Sequence, residues 1–281
     1  MSVDVFVMVL GAALVHATWN ALIKTDGDRL ALIKVMSATQ VVVSLCLVPF
    51  VTVPDAESWP YLAISAAFNT GYMLLLNRAY QAGDLSLVYP LARGVAPPIV
   101  AVVSIGFLGE QLGHASQFAI LLITLGITSL ALTRGAGNIR DVRAVLLALG
   151  TGGFIAGYTV VDGLGARAAG TPHGYMIWLS LVTSLLIVAS VHGLQQGRRP
   201  LIGPRSRLAG IVSGIMSYGS SWLVIWALTL APLALVSALR ETGIVFAVII
   251  GVVFLKEQLN LMRLASIATT LLGTTVLKLS R

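Results

Sequence analysis

The stretch Phe107-Leu-Gly-Glu-Gln-Leu112 returns later in the chain as Phe254-Leu-Lys-Glu-Gln-Leu259, five identities in six, at an offset of 147 residues (257 minus 110). At the same offset Leu125, Gly126, Thr128, Leu130 and Leu132 meet Leu272, Gly273, Thr275, Leu277 and Leu279, and Arg93 meets Arg240. Upstream, Leu85, Leu87 and Val88 match Leu233, Leu235 and Val236 after a shift of one residue near Pro90. Self-similarity at a fixed offset marks an internal duplication and governs how every other element is read.

What is duplicated is apolar. Of 281 residues, 57% are hydrophobic and 10% charged, against about 25% charged in a typical soluble domain. With a mean hydropathy of +0.92, too little polar surface remains to cover a soluble core. The formal net charge is +7, but the basic residues sit between apolar runs and not on a basic face with interleaved aromatics, so no nucleic-acid partner is expected. The single cysteine, Cys46, excludes an internal disulfide and a cysteine-cluster metal site; within its apolar run it reads as a small buried residue. Nothing calls for a cofactor. Ser2 to Ile23 carries Asp4 and no basic region, and reads as a first span, not as a secretory signal.

A spanning helix needs roughly 20 mostly apolar residues. That ruler places spans near 3–24, 30–53, 59–80, 85–107, 114–133, 143–166, 173–193, 207–230, 233–254 and 260–279. The expected fold class is an all-α polytopic membrane protein of ten transmembrane helices. The joints at Gly83-Asp84 and Ala231-Pro232 are short enough to make antiparallel neighbours of the helices they join, and no loop holds a soluble domain. Five spans per half is an odd number, so residues 1–136 and 137–281 enter the membrane in opposite senses. Such inverted repeats are associated with alternating-access transporters.

The duplicated five-helix unit, the repeated Glu-Gln-Leu ends of the fourth and ninth spans, and the Thr18-Trp-Asn-Ala-Leu-Ile-Lys24 end of the first resemble the EamA-like branch of the drug/metabolite transporter superfamily. The resemblance covers essentially the whole chain. His16-Ala-Thr-Trp-Asn20, Tyr89-Pro-Leu-Ala-Arg-Gly94 and Ala238-Leu-Arg-Glu-Thr-Gly243 are similar to a lineage that includes transporters associated with phosphonate use. The resemblance implies a secondary transporter in a cell inner membrane. Related phosphate translocators similarly place basic residues on the fourth and ninth helices.

An ionisable group at mid-bilayer costs at least ~2.5–3.5 kcal/mol on insertion scales, which marks it as functional. Arg93 on the fourth span and Arg240 with Glu241 on the ninth qualify. An inverted two-fold brings the two arginines to opposite walls of one site, and a guanidinium fork fits carboxylate, phosphate or phosphonate oxygens. The competing reading is a permanent pair of Glu241 with one arginine, leaving the other spare. His16, Asn20 and Lys24 form an i, i+4, i+8 stripe on the first span; His16 is a candidate proton carrier, and Lys24 is expected to snorkel. Asn69 and Asn77 flank Met73 on the third span, where polar side chains also glue helices. Tyr218, Trp222 and Trp226 make an aromatic stripe on the eighth; the first two are expected to line a cavity, the last to anchor at the interface. Trp19 and Tyr158 occupy matching places if Gly11 is set against Gly150, and Tyr89 lies one turn before Arg93. Asp162 follows Tyr158 by one turn, a candidate for a substrate amine or a proton, expected solvated near the interface. Glu110 and Glu257 end their spans and read as caps of the helices that follow. Pro90, Pro97 and Pro98 predict an irregular backbone around Arg93.

Enzymes fare poorly against this sequence. Asp162-Gly-Leu-Gly-Ala-Arg167 fits the core of the CDP-alcohol phosphotransferase signature, but Thr159 stands where its first aspartate belongs and no aspartate follows residue 162. Two-metal chemistry lacks its carboxylates. No nucleotide-binding motif points to ATP, which leaves a proton or the substrate gradient as driving force, with His16, Glu241 and Asp162 as proton carriers. The partners expected are a small-molecule substrate and the lipid bilayer, for a monomer or homodimer. The substrate expected is zwitterionic or anionic; cationic or aromatic amines, or a non-transporting assembly role, are the alternatives. Basic residues concentrate in the odd-numbered loops, which puts both termini outside, whereas the resemblance implies termini in the cytoplasm.

Overall fold

In the computed structural model the described residues are 1–24, 29–83, 85–132, 142–195, 203–255 and 261–280. They form eleven α-helices: α1 Val3–Lys24, α2 Arg29–Leu47, α3 Trp59–Ala82, α4 Leu85–Gly106, α5 His114–Ser129, α6 Val142–Ala168, α7 Pro172–Leu194, α8 Pro204–Leu230, α9 Leu233–Glu241, α10 Gly243–Leu255 and α11 Leu261–Leu279. Short 3-10 turns at Val48–Phe50, Ala56–Ser58 and Leu130–Leu132 extend or join them, and no strand occurs among the described residues. Each segment expected to span is helical, with α9 and α10 sharing the ninth.

Seven of these segments are long and apolar enough to cross a bilayer: α1, α2 with its 3-10 extension, α4, α6, α7, α8 and the α9–α10 pair. The other three fall short for visible reasons. Sixteen residues of α5 reach only about 24 Å at 1.5 Å per residue, less than the ~30 Å hydrocarbon core. Helix α3 carries Asn69, Asn77 and Arg78, and α11 carries Arg263 and Lys278. The chain is a multi-pass membrane protein.

Two contacts identify one end of the bundle, here the near end, where both termini lie. Ser116 at the start of α5 donates to Ser280 (3.0 Å), and the Asp55 amide before α3 donates to the Ala169 carbonyl after α6 (3.1 Å). The far end is marked by Lys34 of α2 against His192 of α7 (3.3 Å) and by Ser129 against Ser266 (2.6 Å).

Helices adjacent in sequence are not each other's main partners. α3 packs chiefly on α6 and also on α7, while α8 packs on α1 and α2; α4 lies on α6, and α10 with α9 on α1. The pairs α2–α7, α4–α9 and α5–α11 join the halves. At the α5–α11 seam a Cβ on Gly126 would stand 3.0 Å from the Ser266 carbonyl, and one on Gly273 3.0 Å from that of Ala119. These two glycines are repeat mates, and only a missing side chain lets the backbones meet so closely. Gly152 does the same on α6, where a Cβ would meet the Ala92 carbonyl of α4 at 2.7 Å.

Two local expectations are corrected. α4 runs unbroken through Pro90, Pro97 and Pro98, and the break falls instead in the ninth span, at Thr242. There the Thr242 hydroxyl donates to the Leu239 carbonyl (2.6 Å), competing with the helix ladder as threonine side chains do. Gly243 follows, placed where a Cβ would meet the Ala13 carbonyl of α1 at 3.1 Å. Cys46 is exposed, not buried; it shares an outward surface with Val42 and Leu45, which hydrocarbon tolerates as well as protein does.

Candidate functional site

Apolar packing and open space divide the molecule between its ends. The largest core cluster gathers Val5 and Val9 of α1, Val100 of α4 and six residues of α9 toward the near end, and continues along α5 through Ile123 and Ile127 to Leu130. Toward the far end the helices part around a cavity of about 740 Å³. Its walls are residues 16–21 of α1, 33–40 of α2, 69–80 of α3, 89–93 of α4 and 244–251 of α10, with 158–162 of α6, 176–187 of α7 and 217–228 of α8 carrying it through mid-bundle toward the near end.

Arg93 and Arg240 both line this cavity, but their partners differ. Arg93 is 5% exposed and its Nη1 donates to both Glu241 carboxylate oxygens (3.0 and 3.2 Å). Its Nη2 meets His16 Nε2, and the guanidinium lies 5.5 Å from the Tyr89 ring centre. Glu241, 4% exposed, sits behind this arginine and does not line the cavity. The pair joins α4 to the end of α9, across the halves, and desolvated charges of this kind are tolerable only when paired. Arg240 donates Nη2 to the Tyr158 hydroxyl (2.9 Å), its guanidinium 5.6 Å from that ring's centre. No carboxylate approaches Arg240 within 4 Å among the described residues. One arginine is therefore neutralised and the other keeps its charge on the cavity wall.

Around these two, His16, Trp19, Asn20, Asn69, Tyr89, Tyr158, Asp162 and Tyr218 all line the cavity. Asn20 donates back to the His16 carbonyl (2.7 Å). The Trp19 ring meets His16 edge-on at 4.8 Å, and its indole N–H has no partner among the described residues. Asp162 departs from its expected solvated place: it is 6% exposed, and the Ser65 hydroxyl of α3 donates to it. Asn69 in turn donates to Ser65 Oγ (3.2 Å) and to its carbonyl (3.1 Å). Proximity to a helix end was misleading because α3 covers this face of α6.

Trp222 also departs. Its indole N–H donates to His173 Nδ1 on α7 (2.7 Å), away from the cavity lining, while Trp226 is 39% exposed beside the same imidazole. Asn77 is likewise absent from the lining, whereas Met73 is present. Glu110 caps a different helix from the one expected: its carboxylate accepts the Leu233 amide of α9 (3.0 Å), not an amide of α5. Glu257 and the side chain of Lys24 lie outside the described residues.

Tyr72 and Ser65 escaped the sequence reading. Tyr72 lines the cavity and meets the Tyr158 ring at 5.9 Å. Both stand at helical spacing from Asn69, at i+3 and i−4, so extending that polar stripe along α3 would have found them.

Residues 142–279 match the sequence profile of the EamA-like transporter family. No curated protein matches the chain in sequence. A solved crystal structure superposes with a TM-score of 0.79 over 99% of this chain and 98% of its own, at 18% identity, a likeness that shows the fold alone. A multi-pass helical chain with a central cavity thus matches the EamA-like transporter family over residues 142–279, and that match points to a membrane transporter of the drug/metabolite type.

Proposed function

We propose that the chain is a secondary transporter that moves a small zwitterionic or anionic metabolite across a cell inner membrane by alternating access at the central cavity. The observation that carries this reading is the spare charge of Arg240, held on the cavity wall by Tyr158 while Glu241 neutralises Arg93. A guanidinium fork so placed suits a carboxylate, phosphate or phosphonate. Amino acids, aminophosphonates and organophosphates are the classes it fits. Ten spans in two inverted halves, 1–136 and 137–281, serve as the scaffold. The packing supports this arrangement: exchanging each helix with its mate turns α3 on α6 into α8 on α1, α3 on α7 into α8 on α2, and maps α2–α7, α4–α9 and α5–α11 onto themselves. No catalytic role is proposed.

The test is a flux screen over these substrate classes in proteoliposomes, comparing Arg240→Gln with Arg93→Gln. Arg240→Gln should raise the apparent Kd for the transported anion by about 10- to 100-fold, the 1.5–3 kcal/mol of a charged hydrogen bond. Unchanged affinity in Arg240→Gln sinks the anion reading. A proton-coupled cycle through His16, Glu241 or Asp162 predicts flux that collapses with the pH gradient, and flux indifferent to it removes that part.

A second reading has its own support. Asp162 is a buried carboxylate on the cavity wall, with no cationic side chain within 4 Å among the described residues. It suits a cationic or aromatic amine, with Tyr72 and Tyr158 as ring neighbours. Asp162→Asn separates the two, because it abolishes amine binding and leaves a simple anion bound.

A further inference from the structure

We infer that Glu110 and Arg167 are the gate residues that hold the near end shut, and that their contact must release when the cavity turns toward the termini. The inference rests on the transport reading above, but its geometry stands apart from the substrate site. Arg167, at the end of α6, donates Nε to the Leu228 carbonyl (3.0 Å), Nη2 to the Ala231 carbonyl (2.9 Å) and Nη1 to Glu110 (3.1 Å). Glu110, between α4 and α5, also accepts the Leu233 amide through both oxygens (3.3 and 3.0 Å). The joint between α8 and α9 is thereby gripped from two sides. A cation meets the carbonyl end of α8 and an anion meets the amide end of α9, each charge on the pole of the helix dipole that favours it. The two charges then bind each other across the halves.

The composition of this clamp suits a contact that opens and closes. The packed core beneath it is apolar, whereas the Arg167 side chain is 35% exposed and that of Glu110 13%. Both groups sit at the rim, where water can take over their hydrogen bonds on release. Glu110 belongs to the Glu-Gln-Leu motif that the sequence repeats at residues 257–259.

The test needs no substrate. In a Cys46→Ser background two isosteric reporters are compared: Ser237→Cys, buried in the near end at 3% exposure, and Ser180→Cys, on the cavity wall. The full chain in detergent is reacted with a water-soluble maleimide, with and without Glu110→Gln or Arg167→Gln. The expected result is modification about tenfold faster at residue 237 and correspondingly slower at 180, because opening one end closes the other. Faster reaction at both positions means a loosened fold and overturns the inference. So does no change at either, and so does a rise at 237 without a fall at 180, which is local fraying. Failure of the transport reading shows separately, as flux indifferent to Arg240→Gln.

Discussion

Ser237 and Tyr89 stand at matching places in the two halves, one residue after Val236 and Val88, yet their surroundings are opposite. Ser237 is buried in the near end, and Tyr89 lines the cavity of the far one. The flanking valines are both fully buried, so local sequence does not decide which end is packed. A chain with internally similar halves has no reason in its pattern to prefer one end closed. The difference is one of conformation, and under the transport reading the mirror arrangement is the other state. Each variant below either erases the contrast or makes it sharper.

The largest effect is expected where the two ends meet. Glu241→Gln leaves Arg93 buried without its counter-charge, and breaking a buried pair from one side costs about 3–5 kcal/mol. Thermal unfolding in detergent should show a severe loss, whereas Arg240→Gln, removing a charge with no carboxylate partner among the described residues, should unfold near the parent. Equal losses would mean that the two arginines are not divided into a structural and a free one.

Next comes the packing itself. Leu239→Ala in the near-end core, fully buried, should cost about 2–5 kcal/mol through the hole it leaves. Leu76 lines the cavity and is only partly buried against Ala79, Val88 and Ala148, so Leu76→Ala should leave a smaller hole and cost less than Leu239→Ala. Similar costs would show that the far end is as tightly packed as the near one. Between the ends, Gly126→Ala and Gly273→Ala should each cost about 1–3 kcal/mol by forcing α5 and α11 apart. Gly126→Ala should cost the more, because its Cβ would also press on Thr270 Oγ1 and stand 2.8 Å from the Thr270 amide nitrogen, whereas at Gly273 the nearest atom is the Ile123 side chain at 2.8 Å. A tolerant member of the pair would mark the end at which that seam moves.

How far these features are legible in the sequence depends on their range. The helical segments are legible because each is a mostly apolar run of spanning length, set off by turns rich in charge, glycine or proline. The pairing of Arg93 with Glu241 is half legible: the repeat offset brings the arginines to one site, but nothing in it tells which of them the single glutamate takes. The break at Thr242 is hidden because three prolines in α4 advertise a stronger one, and proline tolerance is settled by neighbouring helices that a one-dimensional pattern does not show. Asp162 is misread for a similar reason, since its distance from the span's end says interface while α3 lies over it.

The smallest effect tests the aromatic wall. Helical spacing puts Tyr218, Trp222 and Trp226 on one broad face, but that face meets two environments. Tyr218 reaches the cavity, whereas Trp222 turns to His173 at the first turn of α7, where Thr171 caps the helix through the Gly174 amide (3.1 Å). Trp222 is therefore a near-end strut between α7 and α8. Trp222→Phe keeps an aromatic ring but loses the indole N–H with its hydrogen bond and some volume, so stability should fall by at least about 1 kcal/mol, with affinity for the transported molecule unchanged. Tyr218→Phe keeps the ring that lines the cavity and removes a hydroxyl that is itself buried, so affinity should stay near the parent's. If Trp222→Phe weakens binding and spares stability, Trp222 faces the cavity with Tyr218 and is not a strut between α7 and α8.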